Sequence, residues 1–151
     1  MENELKFNEI KELIPHREPF LYLDSLVDIV KLKKATGIKI FKKDEGFFKG
    51  HFPGNPVVPG VILIEMMAQT AAALIAYSLK TETFDKIVYL MNVESSKFRS
   101  PVFPETKVKA DVESLRSRGR VWKFYGKMCD ENDKLICESV WSAMIMDKKD
   151  V

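Results

Sequence analysis

The sequence predicts an α+β fold in which an antiparallel sheet wraps around one long, buried helix. Two strand-like segments come first, a long apolar segment with a single carboxylate follows, and about four strand-like segments close the chain. One helix cannot shield two separate faces of a sheet, so a sheet that wraps around it is the natural way to bury it. We expect residues 1–151 to form a single domain, since the sequence contains no linker, repeat or low-complexity tract.

The predicted elements follow from local patterns of apolar, β-branched and turn-forming residues. A short helix is expected over Phe7–Leu13, with Asn8 as its cap and its end before Pro15. Strands are expected where apolar or β-branched residues alternate or cluster between turn signals. Gly119 and residues 131–133 mark two hairpin turns. The predicted strands cover residues 20–30, 33–42, 86–93, 106–115, 119–129 and 134–146.

The predicted long helix lies within Val57–Leu79, where Glu65 and Gln69 are the conspicuous polar residues. Pro59 suits the first helical turn, where its missing N–H costs little. The length is close to that of a membrane span. However, a carboxylate near the middle of a span would cost roughly 2.5–3.5 kcal/mol on insertion scales. We therefore expect a core helix and no membrane span.

A stiff loop precedes this helix and carries one of the two histidines of the chain. The run from His51 to Gly60 contains three prolines and two glycines. Proline fixes φ and glycine supplies backbone angles that other residues avoid, so the run specifies a single loop shape. Such a loop would hold the His51 imidazole in one place, just before a helix N-terminus.

Glu65 and Gln69 are four residues apart and share one face of the helix. Apolar burial should raise the pKa of Glu65 and the nearby helix N-terminus should lower it; we expect burial to dominate. Taken alone, Glu65 could be a buried carboxyl with a structural hydrogen bond. The rigidly held His51 upstream favours chemistry, with Gln69 either orienting Glu65 or a water, or serving only the structure.

Composition excludes several classes of function. The chain has 24 basic and 22 acidic residues, and its net charge of +2 gives no signal for nucleic-acid binding. Its first residues carry acids and lack an apolar core region, so we expect no signal peptide. Cys129 and Cys137 fit neither a metal site nor a C-x-x-C motif. We expect them to be free thiols in a reducing cytoplasm.

These motifs resemble one enzyme family over nearly the whole chain. They are Ile14-Pro-His-Arg17, Pro19-Phe-Leu21, the run His51 to Gly60 with Glu65 and Met67-Ala-Gln69, and Lys97-Phe-Arg99 before Pro101-Val102. The pattern is similar to that of the β-hydroxyacyl-acyl-carrier-protein dehydratases of bacterial fatty acid synthesis, which have the hot-dog fold. Isomerase-type relatives carry aspartate at the position of Glu65, so the glutamate favours a plain dehydratase.

Two positions depart from the usual pattern of that family. Ser25 stands where arginine is often found, and Glu105-Thr106 replaces a common Gly-Asp pair after Pro104. Both lie outside the catalytic run, so they put local turn geometry in doubt and not the activity.

The resemblance implies dehydration of (3R)-3-hydroxyacyl chains, carried on acyl carrier protein, to trans-2-enoyl chains during fatty acid elongation. Neutral His51 would act as the base and protonated Glu65 as the acid. Backbone N–H groups of Gly60 and Val61 at the helix N-terminus would stabilise the thioester oxygen. No metal or organic cofactor is required. Relatives build the site from two subunits, which implies a cytoplasmic homodimer or a trimer of dimers.

Two further sets of residues are expected to meet the substrate and its carrier. Phe52, Ile64, Ala68 and Tyr89 are candidates for an acyl tunnel, although each could equally be ordinary core. His16 is interpreted as a structural hydrogen-bonding residue and not as a second base. A basic rim could receive the acidic carrier protein and its phosphopantetheine phosphate, or could simply be solvated. Its members are Lys97, Arg99, Arg116, Arg118 and Arg120.

Other functions of the same fold are also compatible with parts of the sequence. A hot-dog thioesterase needs a carboxylate that activates water but has no need of the loop histidine, and a CoA-dependent hydratase is the related alternative. A non-catalytic acyl-binding module would keep the fold without needing both His51 and Glu65. The presence of both residues favours the dehydratase.

Overall fold

The computed structural model describes residues 4–79 and 86–150 and has the predicted arrangement of one long helix against an antiparallel sheet. The elements are β1 (Leu5–Lys6), α1 (Phe7–Lys11), β2 (Ser25–Val30), β3 (Lys34–Phe41), a 3₁₀ helix (Gly46–Lys49), α2 (Gly60–Leu79), β4 (Lys86–Phe98), β5 (Thr106–Arg118), β6 (Val121–Asp130), β7 (Leu135–Asp147) and a second 3₁₀ helix (Lys148–Asp150). Across these described residues the strands follow the order β1-β2-β3-β5-β6-β7-β4, and every pair of neighbours is antiparallel.

Two glycines on the sheet allow α2 to approach it closely. A Cβ added to Gly37 on β3 would lie 2.2 Å from Thr70 Oγ1, and one added to Gly126 on β6 would lie 2.8 Å from Met67 Sδ. Both Met67 and Thr70 have no exposed surface. The missing side chains therefore let the buried face of α2 rest on the backbone of β3 and β6.

One stripe of α2 remains open. Val61 is 70% exposed, and Ile64, Glu65 and Ala68 are partly exposed. These positions follow the i, i+3, i+4, i+7 spacing of a single helix face. By length and composition α2 could cross a membrane, but more than half of its most apolar window is buried inside the protein, as in a core helix. The open stripe therefore places Glu65 at the edge of the core and not within it.

The predicted strand over residues 20–30 is wrong in its first part, because β2 begins only at Ser25. The backbone before it is bonded to a side chain of α2. Gln69 Oε1 accepts the N–H of Tyr22 at 2.8 Å, and Gln69 Nε2 donates to the carbonyl of Phe20 at 2.9 Å. These bonds replace the ladder that a strand at this point would need.

Smaller differences concern the ends of elements. The N-cap of α1 is Lys6 and not Asn8, and the Glu9 carboxylate accepts the Lys6 N–H at 2.7 Å. The helix α2 begins at Gly60, so Pro59 precedes its first turn, and β4 and β5 run further than predicted. The two-residue strand β1 was not predicted from the sequence.

Several residues adopt the left-handed conformation in turns. Gly119 has φ of +63° between β5 and β6, and Asp133 has φ of +62° between β6 and β7, which confirms both predicted hairpin turns. Glu105 has φ of +66°. Glycine adopts this conformation at little cost, whereas glutamate is strained by it. The turn therefore has a glycine-type geometry at a position that carries glutamate.

The strand β4 lies at one edge of the described sheet and exposes a row of large apolar side chains. Tyr89, Leu90, Met91, Val93 and Phe98 are each 40–50% exposed. A long apolar edge strand offers unpaired backbone groups to another strand. This edge is thus the part of the sheet best suited to pair with a second chain.

Candidate active site

The loop before α2 holds His51 at both its backbone and its ring. The Val57 N–H donates to the His51 carbonyl at 2.9 Å, and His51 Nδ1 lies 2.7 Å from the Val57 carbonyl oxygen. A carbonyl oxygen can only accept, so Nδ1 carries the proton and Nε2 bears the free lone pair. The peptide bond from His51 to Phe52 is cis, and the two rings stack with their centroids 4.0 Å apart. The imidazole therefore has one orientation and one basic nitrogen.

The Glu65 carboxyl is held by the next turn of its own helix. Gln69 Nε2 donates to Glu65 Oε1 at 3.0 Å, and Gln69 is completely buried. Burial raises the pKa of Glu65 above its ordinary value, and the hydrogen bond from Gln69 opposes this only in part. The direction is the expected one, and it favours the protonated acid.

His16 lies beside the same carboxyl. Its Nε2 is 3.6 Å from Glu65 Oε1. Burial, with a smaller contribution from the neighbouring Arg17 charge, lowers the pKa of His16, so the ring is neutral near pH 7. The structural hydrogen bond expected of His16 is not made by Nδ1, which is buried and finds no partner in the described part of the chain.

The N-terminus of α2 opens into a hollow of about 390 Å³ whose wall includes Gly60, Phe98 and Arg99. A Cβ on Gly60 would come within 2.9 Å of the Phe98 ring, so only glycine fits there without displacing the ring. The N–H groups of Gly60 and Val61 belong to a first helical turn, where N–H groups lack intrahelical partners. They lie at the positive end of the helix dipole and suit an oxygen that gains negative charge.

His51 and Glu65 share no hydrogen bond or ion pair within the described residues. The partners of His51 come from its own loop, and those of Glu65 are Gln69 and His16. Each group is thus held by its own set of partners, and no described contact joins the two.

The predicted tunnel residues do not enclose a cavity together. Ile64 and Ala68 lie on the open stripe of α2, Tyr89 lies on the exposed edge strand, and Phe52 is 51% exposed beside His51. A separate apolar cavity lies beside His16. It has a volume of about 20 Å³, which is room for about one water and far too little for an acyl chain.

The expectation of a single basic rim is wrong for one chain. Antiparallel register places Arg118 opposite Val121 at the end of the sheet where β4 begins. Lys97 and Arg99 lie where β4 ends, roughly 30–40 Å away at about 3.3 Å per strand residue. Arg116 and Arg120 accompany Arg118, so the five residues form two groups at opposite ends. Of the five residues, only Arg99 lines the hollow at the α2 N-terminus.

Sequence reasoning missed two residues that the structure brings to these sites. His16 meets Glu65 across a separation of 49 residues, and Phe98 covers Gly60 across 38. The motifs Ile14-Pro-His-Arg17 and Lys97-Phe-Arg99 contained both residues. Their positions in conspicuous motifs were the available signal, but no local pattern shows which distant residue they contact.

Comparisons with known proteins show the family to which the chain is similar. Residues 14–139 match the family model of the FabA-like domain. The 3-hydroxyacyl-[acyl-carrier-protein] dehydratase FabZ of Acidiphilium cryptum is 47% identical over 93% of this chain and 84% of its own length. The protein of the same name from Rhodospirillum rubrum is 46% identical over 93% and 87%.

Solved structures share the fold at low identity. The dehydratase heterocomplex ApeI:P from Xenorhabdus doucetiae superposes with a TM-score of 0.79 at 14% identity, over 93% of this chain and 92% of that one. A thioesterase superfamily member from Thermus thermophilus gives a TM-score of 0.62 at 13% identity, over 81% and 87%. At such identities these likenesses show the fold alone.

Proposed function

From the premise that the chain belongs to the FabA-like family, as a hot-dog 3-hydroxyacyl-[acyl-carrier-protein] dehydratase of the FabZ type, we propose a reaction and a role for each site residue. The substrate is a (3R)-3-hydroxyacyl chain on acyl carrier protein, and the product is the trans-2-enoyl chain of fatty acid elongation. The relatives at 46–47% identity carry the dehydratase name. That favours dehydration over the thioesterase and binding-module alternatives. We place the reaction in the cytoplasm.

The proposal rests on one observation: His51 has a free basic nitrogen, and Glu65 has a raised pKa that suits an acid. The Val57 carbonyl holds the proton on His51 Nδ1 and leaves Nε2 free as a base. Burial raises the pKa of Glu65, which favours the protonated carboxyl that an acid needs. Removal of water from a 3-hydroxyacyl thioester needs a base for the C2 proton and an acid for the C3 hydroxyl.

The proposed reaction is a single elimination of water across C2 and C3. His51 Nε2 takes the proton from C2, and that electron pair forms the C2–C3 double bond. The C3–O bond breaks, and Glu65 protonates the leaving hydroxyl to give water. The thioester oxygen gains charge during proton removal, and the N–H groups of Gly60 and Val61 stabilise it. His51 ends with an extra proton and Glu65 with one fewer, so a proton returns through solvent before the next turnover.

The complete site forms between two copies of the chain. The apolar edge of β4 suits antiparallel pairing with the same edge of a second copy. We expect the same second copy to cover the open stripe of α2 around Glu65. A homodimer is the unit that the site needs, and a trimer of dimers stays a prediction.

The acyl chain would lie between the protomers, along the open stripe of α2. Ile64 and Ala68 lie on that stripe, and Phe52 and Tyr89 are exposed where a partner would cover them. The carrier protein would approach the end of the sheet with Lys97 and Arg99. Its phosphopantetheine arm would enter through the hollow beside Gly60.

The function is tested by following hydration of crotonyl-acyl carrier protein through loss of the conjugated thioester absorbance. His51→Ala and Glu65→Gln should each lower kcat about 10²–10⁴-fold, the usual contribution of a proton-transfer group. The exposed Glu131→Gln is a matched control that should leave kcat unchanged. Turnover within about threefold of wild type in either site variant would refute the assigned roles. Release of a free thiol instead of loss of the enoyl group would indicate a thioesterase.

The shared site is tested by mixing the two inactive variants. His51→Ala and Glu65→Gln subunits that exchange should form heterodimers with one intact pair, which restores part of the activity. Light scattering should show at least a dimer of the 17.4 kDa chain. An active monomer, or no recovery after proven exchange, would contradict the shared site.

A further inference from the structure

The segment Ile14–Tyr22 is fastened to α2 beside Glu65. Ile14 is buried as an anchor, and the Arg17 guanidinium donates to the carbonyls of Lys11, Ile14 and His16 at 2.7–2.9 Å. The carbonyl of Arg17 in turn accepts the Phe20 N–H at 2.8 Å. These bonds place the His16 ring against the Glu65 carboxyl, where its side chain is 19% exposed.

The amide of Gln69 can have only one orientation. Its Oε1 accepts a backbone N–H from Tyr22, which can only donate, and its Nε2 donates to the carbonyl of Phe20, which can only accept. The contact of Gln69 Nε2 with Glu65 Oε1 is therefore a donation to Glu65. Oε1 acts as an acceptor, and because the carbonyl oxygen is the better acceptor of a protonated carboxyl, this donation favours the acidic proton on Oε2.

This assignment also determines which nitrogen of His16 carries the proton. His16 Nε2 faces Glu65 Oε1 at 3.6 Å. A lone pair on Nε2 would face the lone pairs of an oxygen that already acts as an acceptor, which is repulsive. A proton on Nε2 gives an attractive contact and leaves a lone pair on the buried Nδ1. The distance exceeds a hydrogen bond, and such contacts often shorten only when substrate binds.

We propose that His16 is a positioning residue for the dehydration, which presents Nε2–H to Glu65 Oε1, directs the acidic proton to Oε2 and stabilises the carboxylate as that proton leaves. The inference rests on the proposed function, because it requires Glu65 to be the acid. A donor that strengthens as the carboxylate forms lowers the barrier and not merely the energy of the bound substrate.

The other charged and titratable groups near the pair are few among the residues described. Arg17 adjoins His16 and favours the neutral ring. Burial raises the pKa of Tyr22, and the charges of Glu45 and Glu65 raise it further, so the phenol stays neutral. Loss of His16 would therefore leave Gln69 as the remaining side-chain donor to Glu65 in the described chain.

Two variants of His16 separate this role from packing. His16→Phe fills the space but has no donor, and His16→Gln places an amide N–H close to the position of Nε2. With crotonyl-acyl carrier protein, His16→Phe should lower kcat about tenfold with little change in KM. It should also move the high-pH limb of the kcat profile upward by about half a unit to one unit, because an unassisted carboxyl holds its proton more tightly. His16→Gln should recover most of kcat and the wild-type limb.

The exposed Glu18→Gln, on the same segment, is the control and should match wild type in both respects. Equal losses in His16→Phe and His16→Gln with an unmoved limb would assign the ring to packing and overturn the proposal, as would wild-type kinetics in His16→Phe. If His16→Phe does not fold, ¹⁵N NMR of the wild-type imidazole decides, since a proton on Nδ1 contradicts the proposal. Retained activity in Glu65→Gln would instead refute the function itself.

Discussion

Gly37 is the point where the closest packing of α2 can be tested. In Gly37→Ala the new Cβ would lie 2.2 Å from Thr70 Oγ1 and 2.7 Å from Leu23 Cδ2. Gly37 cannot retreat easily, because β3 pairs with β2 through Leu26 and with β5 through Ala110. The Thr70 hydroxyl is held by its bond to its own helix.

The expected cost follows from that overlap of about one ångström. Overpacking a core typically costs 1–3 kcal/mol, and two fixed backbones put Gly37→Ala at the upper part of this range. The lower entropy of the unfolded alanine chain offsets about 0.4–1 kcal/mol. A net loss of about 2 kcal/mol should lower the melting temperature by roughly 4–8 °C in a chain of this size. Because α2 carries Glu65, kcat should fall as well.

A double-mutant cycle identifies the clash as the cause. Thr70→Ala removes the hydroxyl that the new Cβ would meet and leaves the flexible end of Leu23 to adjust. Gly37→Ala should therefore cost about 1 kcal/mol less in the Thr70→Ala background than in wild type. Unfolding should be measured at one fixed protein concentration, since association adds to apparent stability.

Gly46→Ala is the matched control, because a Cβ there would meet nothing within 4 Å. This variant should be neutral or slightly more stable than wild type. If Gly37→Ala were as stable as Gly46→Ala, α2 would not pack on β3 as described. The position assigned to Glu65 on that helix would then also be wrong.

Other expected outcomes test the pH dependence, one turn and the carrier surface. Burial raises the pKa of Glu65 above its unfolded value of about 4.3. Its contribution to stability is therefore full below the unfolded pKa and is lost as the pH rises through the folded pKa. Melting curves should show Glu65→Gln gaining stability relative to wild type as the pH rises above about 4. Glu105→Gly should raise the free energy of unfolding by about 0.5 kcal/mol. The reason is that relief of roughly 1–2 kcal/mol of left-handed backbone strain exceeds the cost of the greater entropy of the unfolded glycine chain. A lower melting temperature would contradict this. Arg99→Glu should raise KM for carrier-linked substrate more than Arg118→Glu, and Arg118→Glu should leave turnover of a short pantetheine thioester unchanged. Equal effects of both on the carrier substrate would remove the distinction between the two ends of the sheet.

Local chemistry explains which features were predictable from the sequence. The loop from His51 to Gly60 owes its shape to its own prolines and glycines, and α2 owes its length to an uninterrupted apolar run. The hairpin at Gly119 depends on one residue that tolerates positive φ. Each signal lies within the element that it determines, so no knowledge of distant contacts was needed.

The errors arose where distant contacts decide the structure. Residues 20–24 contain several strand-favouring side chains but form no strand, because Gln69 binds the Phe20 carbonyl and the Tyr22 N–H. The polar end of β4 shows no alternation because both faces of this edge strand are exposed. The single basic rim failed because the register of four strands, with bulges near Asn92 and Arg116, separates residues that composition had grouped.

The Gln69 side chain shapes both the backbone of Phe20 and Tyr22 and the candidate acid Glu65. A completely buried amide costs free energy unless it is bonded, and here three bonds satisfy it: one from Tyr22, one to Phe20 and one to Glu65. Glutamate at this position would lose both donations and place a second carboxyl beside Glu65, and leucine would leave two backbone groups unpaired. Only an amide can accept from a backbone N–H while it donates to a carbonyl and to a carboxyl. The two bonds that keep the backbone of Phe20 and Tyr22 out of the sheet are therefore the same bonds that turn the Gln69 amide N–H toward Glu65.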